Sequence, residues 1–169
     1  MEFAVTVIGR DRVGIVADVA GHLAALGANL TDSTMTILRG HFAMTLICTA
    51  PAAAEQLRQA LTPVSDSGLL VSVSEVEADG SASSGGSSYV VSVHGADRLG
   101  IVAAVARAIA GAGGNITDLS TRLTGTLYVL VAEVDLPAGV ADALAKALME
   151  LATALHVEVN LRPAEADLL

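Results

Sequence analysis

Val5-Thr6-Val7-Ile8-Gly9-Arg10-Asp11-Arg12-Val13-Gly14-Ile15-Val16 ends an alternating apolar run, turns through glycine and opens onto a new apolar period. Val91-Ser92-Val93-His94-Gly95-Ala96-Asp97-Arg98-Leu99-Gly100-Ile101-Val102 repeats that pattern with every position displaced by 86 residues. The correspondence continues without a gap to Asn29-Leu30-Thr31-Asp32 against Asn115-Ile116-Thr117-Asp118. In a chain of 169 residues such a duplication means two copies of one small domain, each of roughly 75 to 80 residues.

Working outward from the first copy, residues 2–8 alternate as a strand, with Phe3, Val5 and Val7 on one face. A helix is expected over 12–26, with Asp11 as N-cap, Gly27 at its C-terminal turn and Val13, Val16, Ala20 and Leu23 as its apolar stripe. Strands at 29–38 and 41–49 flank Arg39-Gly40, a hairpin signal. A helix after Pro51 carries Leu57, Ala60, Leu61 and Val64, and a last strand carries Leu69, Val71 and Val73. The second copy repeats the plan with strands at 89–94, 115–124, 126–135 and 156–162 and helices at 98–112 and 138–154. One apolar face per element places both helices on one side of a four-stranded antiparallel sheet, and right-handed crossovers make the βαββαβ order a ferredoxin-like α+β domain. The expected division is a first domain over 1–77, a Gly/Ser-rich linker over 78–88, a second domain over 89–162 and a tail over 163–169.

Aliphatic residues dominate, Trp is absent, and Phe and Tyr number two each, so the cores are expected to be finely packed from Ala, Val, Leu and Ile. A net charge of −9 with no Lys/Arg cluster disfavours direct binding to nucleic acid or to anionic membranes. The first apolar stretch is short, has no basic leader and belongs to the repeat, so neither a signal peptide nor a membrane span is expected, and the cytoplasm is the expected location. The single Cys48 sits in an alternating run and reads as a buried strand residue. His22, His41, His94 and His156 fall on different elements without metal-ligand spacing, and no nucleophile has an identifiable base, so neither a metal nor a catalytic constellation is expected. Gly111-Ala112-Gly113-Gly114 follows a helix, whereas phosphate-binding loops precede one, so no nucleotide cofactor is expected.

Where a strand turns through glycine into a helix, the first helical turn offers unpaired backbone N–H groups and the positive end of the helix dipole. Gly14 and Gly100 lie in that turn, where a missing Cβ lets a small carboxylate, or another chain segment, approach the backbone. Asn29 and Asn115 start the next strand and can both donate and accept.

On these residues the resemblance is specific. Gly9-Arg10-Asp11-Arg12-Val13-Gly14-Ile15-Val16 with Gly27-Ala28-Asn29-Leu30, and the second copy ending Gly113-Gly114-Asn115-Ile116, resemble ACT domains across both halves. A tandem pair of this kind resembles the glycine cleavage system transcriptional repressor group. That resemblance implies side-by-side pairing of sheets, an effector amino acid of the glycine or serine class bound near the first strand–helix loop at a domain interface, a transcriptional activator as protein partner, and a homodimer. It places Asp11, Gly14, Ile15 and Asn29, and likewise Asp97, Gly100, Ile101 and Asn115, in the ligand-binding positions, while Arg12 and Arg98 beside them are candidate ligand contacts that read more readily as solvated salt-bridge partners. Two departures stand out. Val13 and Leu99 replace the proline that many members carry before the glycine, and Asp11 and Asp97 replace a frequent asparagine.

Two functions from different classes follow. One is a non-enzymatic regulator that binds a small amino acid and changes how it presents itself to a partner. The alternative is a ligand-independent interaction scaffold, which the two departures favour. A detached regulatory part of an enzyme such as a phosphatase or deformylase is a third reading, disfavoured because no catalytic domain is evident.

Overall fold

The computed structural model describes residues 1–77 and 86–164. They form two compact units, and each carries the same plan. In the first, β1 (Glu2–Arg10) leads through a loop into α1 (Ile15–Ala25), followed by β2 (Asn29–Leu38), β3 (His41–Thr49), α2 (Ala54–Ala60), α3 (Thr62–Asp66) and β4 (Leu70–Val76). In the second, β5 (Ser87–Ala96), α4 (Ile101–Gly111), β6 (Asn115–Thr124), β7 (Leu127–Leu136), α5 (Ala141–Leu155) and β8 (Val157–Pro163) repeat it. The sheets run β2-β3-β1-β4 and β6-β7-β5-β8, antiparallel throughout, as the α+β ferredoxin-like reading requires. Both copies carry a bulge one residue into the second strand, between Leu30 and Asp32 and between Ile116 and Asp118.

Strand alternation sets one face of each sheet against the helices. Val5 pairs with Leu46 and with Val73, so all three point the same way, into a cluster closed by Ile15, Val19, Leu23, Leu57, Leu61 and Val64. In the second unit Val91, Val93, Leu130 and Ala132 meet Ile101, Val105, Ile109, Leu144 and Leu148. Cys48 is buried, and burial pushes its thiol pKa up. A Cβ on Gly9 would stand 2.6 Å from Leu69 Cδ2, and one on Gly95 2.7 Å from Val157 Cγ1, so glycine stands next to last in the first strand of each copy, where the last strand begins beside it.

Several expectations need correction. The first helix starts at Ile15, not near Arg12, and its N-cap is Gly14 at φ 91°; Gly100 caps α4 with the same φ. Asp11 and Asp97 are therefore not caps, and neither helix start has a side-chain cap. The buried stripe is Ile15, Val19 and Leu23, while Val13 and Leu99, which precede their helices, are 99% and 101% exposed. The single helix expected after Pro51 is two, α2 and α3, with Pro63 in the first turn of the second. Most of the expected linker, 78–85, and the tail from 165 lie outside the described residues, whereas Ser87 and Ser88 belong to β5 and Pro163 to β8.

Candidate functional site

Each copy presents one corner between its first strand and first helix. The first hydrogen bond of α1 runs from Asp18 N to Gly14 O at 2.9 Å, and that of α4 from Ala104 N to Gly100 O at 2.9 Å. The amides of Ile15, Val16 and Ala17, and of Ile101, Val102 and Ala103, therefore have no intrahelical acceptor. The side chains of Ile15 and Ile101 are buried in the cores, so at the corner these residues offer only their backbone. Glycine is needed at 14 and 100 by conformation, since a left-handed φ strains any L side chain. Nothing lies within 4 Å of where a Gly100 Cβ would stand, and only Arg12 Nη1, at 4.0 Å, approaches the same place at Gly14. Asp11 and Asp97 are exposed beside their corners, and Asp11 N donates to Gly40 O at 3.0 Å, tying the loop to the β2–β3 hairpin.

Arg12 folds back over the first corner. Its Nη2 lies 2.9 Å from Asp18 Oδ2 and donates to Ser67 Oγ at 3.2 Å, and its Nη1 donates to Val13 O at 3.2 Å. Ser67 Oγ in turn donates to Val64 O at 2.7 Å. Among the described residues Arg98 has no carboxylate within 4.0 Å and no such hydrogen bonds. Asp18 and Ser67 were not foreseen as corner residues. Asp18 could have been found from its place one turn into the helix beside a basic loop, but Ser67 is 55 residues from Arg12 and only the fold brings it there.

The asparagines do not join these corners within one domain. Asn29 pairs with Thr49, which pairs with Glu2 at the start of β1, while the corner follows Arg10 at its end. Asn115 likewise pairs with Asp135 near the start of β5, and the corner follows Ala96. A strand's length, roughly 30 Å, separates the two features in each copy. The reason is topological: α1 and α4 run back along the sheet, so the strand after each helix begins at the far end. Asn115 instead lines a cleft of about 280 Å³ with Gly113, Asp135 and Pro137. A second cleft of about 390 Å³ brings His94 and His156 together with Gly95 and Glu158. No group of three or more His, Cys, Asp or Glu side chains able to hold a metal occurs among the described residues, nor any helix long and apolar enough to cross a membrane.

The family profile described as ACT domain matches residues 2–76 and again residues 87–162. A protein of unknown function from Galdieria sulphuraria has a similar structure, with a TM-score of 0.84 and 30% identity over 97% of this chain and 98% of that one. A protein provisionally assigned as a glycine cleavage system transcriptional repressor superposes with a TM-score of 0.76 at 19% identity, covering 98% of each chain, which shows a shared fold. Among curated sequences, the UPF0237 protein of Listeria monocytogenes is 48% identical over 48 residues, 28% of this chain and 54% of its own length. That of Methanosarcina mazei is 45% identical over 49 residues, 29% of this chain and 53% of its own. The chain thus spans about half the length of the curated relatives it matches.

Proposed function

The chain belongs to the ACT domain family in both halves, and from that membership we propose that it is a non-enzymatic regulator that senses a small amino acid. The observation that carries this reading is the pair of corners, each with three amides that have no intrahelical acceptor, a glycine at φ 91° and an arginine two residues before it. A zwitterion of the glycine or serine class suits them: its carboxylate takes the helix amides and its ammonium pairs with Asp11 or Asp97. Within one domain the corner and the asparagine are a strand apart, so a ligand that meets both draws on two ACT domains, in keeping with a homodimer. Binding then favours one arrangement of domains over another and changes how a protein partner is engaged. The resemblance to the repressor group points to a transcriptional activator as that partner, to glycine metabolism as the setting and to the cytoplasm as the place. A thermal-shift screen of the twenty amino acids is the direct test. At 100 times the Kd a true effector stabilises by about 2.7 kcal/mol. Silence across all twenty at millimolar concentration overturns the sensor.

A second reading has its own observation. Val13 and Leu99 project fully into solvent at the tips of the corners, where the family often has proline. Exposed apolar tips suit a protein contact, and a ligand-independent scaffold would use them so. Substituting both with serine and measuring retention of a partner, with and without amino acids, separates the two: retention that ignores amino acids but needs the tips belongs to the scaffold.

A further inference from the structure

We propose that β8 is a dimerisation edge: two copies of the chain join by antiparallel pairing of β8 with β8 about an axis at Asn160, which sets Glu158 of each copy opposite the partner's Arg162. This specifies the homodimer of the proposed function without depending on an effector, because Asn115 starts β6 at the opposite edge of the same sheet.

β8 is paired on one side only, with β5. Ala164 N donates to Ser88 O at 2.8 Å, so in the alternation of an antiparallel ladder the even-numbered residues of β8 bond to β5. The N–H and C=O groups of Val157, Val159 and Leu161 therefore point outward from the sheet. β4 has the same geometry, and Val73 corresponds to Leu161, since Val5 pairs with one and its counterpart Val91 with the other. There the outward carbonyl is taken: Arg58 Nη2 donates to Val73 O at 2.8 Å. Among the described residues no side chain donates to the backbone of β8.

Two such edges can bond only in registers that oppose odd-numbered residues. With the axis at Asn160, Val159 meets the partner's Leu161, and Val157 meets the partner's Pro163, whose carbonyl still accepts. Glu158 falls opposite the partner's Arg162 in a non-hydrogen-bonded pair, where side chains approach most closely, and the twofold axis makes this contact twice. An axis at Val159 would set Arg162 against the partner's His156, and one at Leu161 would set it against the partner's Asn160, so charge selects the register between them. Glu158 and Arg162 are exposed, and neither has a salt bridge among the described residues. Val159 and Leu161 pack half-buried against the second core, so pairing them carries one apolar layer across the axis. β4 has Leu70 and Ser74 where β8 has Glu158 and Arg162, and offers no such pair.

The test is sedimentation of the full chain together with hydrogen exchange at the amides of Val157, Val159 and Leu161. The wild type sediments as a dimer, and these amides exchange slowly in the dimer and fast once dilution has separated it. Glu158→Arg and Arg162→Glu each set like charges against one another on both sides of the axis and weaken association by about tenfold, and combining the two restores it. Val159→Pro removes an outward N–H and no bond to β5, and it leaves a monomer. Should that variant fail to fold, the exposed charge pair still decides. A chain that stays monomeric up to about 1 mM, or a double variant that is not rescued, overturns the proposal. A dimer that ignores every substitution and leaves the three amides unprotected assembles through another surface, which refutes this edge while the homodimer stands.

Discussion

The two halves share topology, bulge position and the φ of the capping glycine, yet they differ in how they fill the same places. Phe3 and Phe42 are fully buried in the first half, and Tyr89 and Tyr128 stand at the corresponding positions of the second only partly covered. A phenol keeps one end wet, so it cannot sink as far as a phenyl ring. The second helical region is broken into α2 and α3 in one half and continuous as α5 in the other. The first corner is held by Arg12, Asp18 and Ser67, whereas the second has Arg98, Ala104 and Leu155. The lesson is that backbone geometry was kept by both copies of the repeat while the groups that close the core and the corner were kept by one.

The comparison can be broken most forcefully in the cores. Phe42→Ala should cost the first half about 3–5 kcal/mol, since it removes a buried ring and leaves a cavity. Tyr128→Ala should cost the second half clearly less, and denaturation followed by residue-resolved hydrogen exchange reads each half separately. Equal losses would mean that the partly covered phenol packs as tightly as the buried ring. At the corners, Gly14→Ala and Gly100→Ala should each cost about 1–2 kcal/mol, and by the same amount, because the demand comes from φ and not from neighbours. Unequal costs would show that the Arg12 contact contributes to the backbone requirement.

Alkali provides a finer contrast. The folded state holds the Cys48 thiol above its ordinary pKa, so as pH rises the unfolded chain loses that proton first. Stability from this source is intact below the unfolded thiol pKa and declines above it, in the first half alone, as hydrogen exchange at increasing pH would show. Cys48→Ala should remove the decline. The smallest effect is expected from Asp18→Asn, whose partly exposed ion pair is worth less than about 1 kcal/mol and fades in molar salt. A stability change that ignores salt would trace to the helix and not to the pair.

The hairpin signal and the alternation of its second strand made β2 and β3 readable, and the repeat carried the same bounds to β6. Duplication made the fold readable, since one interpretation had to serve both copies. The helix starts were misread because Asp-Arg-Val and Asp-Arg-Leu look like a capped first turn, and a glycine taken to lie within the helix proved to be its left-handed cap. Val13 thus precedes the helix, Val16 lies on its exposed side, and the stripe is Ile15, Val19 and Leu23. The corners were visible as glycine and acid at a strand end. Their separation from Asn29 and Asn115 follows from the helix running back, a consequence of topology that residue spacing does not display. The Arg12–Ser67 contact lay beyond reach, because it depends on where the α3 turn lands.

The placement of aromatic and sulfur groups has a practical result. Both phenols of the described residues lie in one half and the lone thiol in the other, and the chain contains no indole. Ultraviolet emission from Tyr89 and Tyr128 therefore tracks one unit, and the reaction of Cys48 with a thiol reagent tracks its neighbour in sequence. The unlabelled protein thus carries its own two-channel readout, able to tell which half opens first when both are heated in one tube.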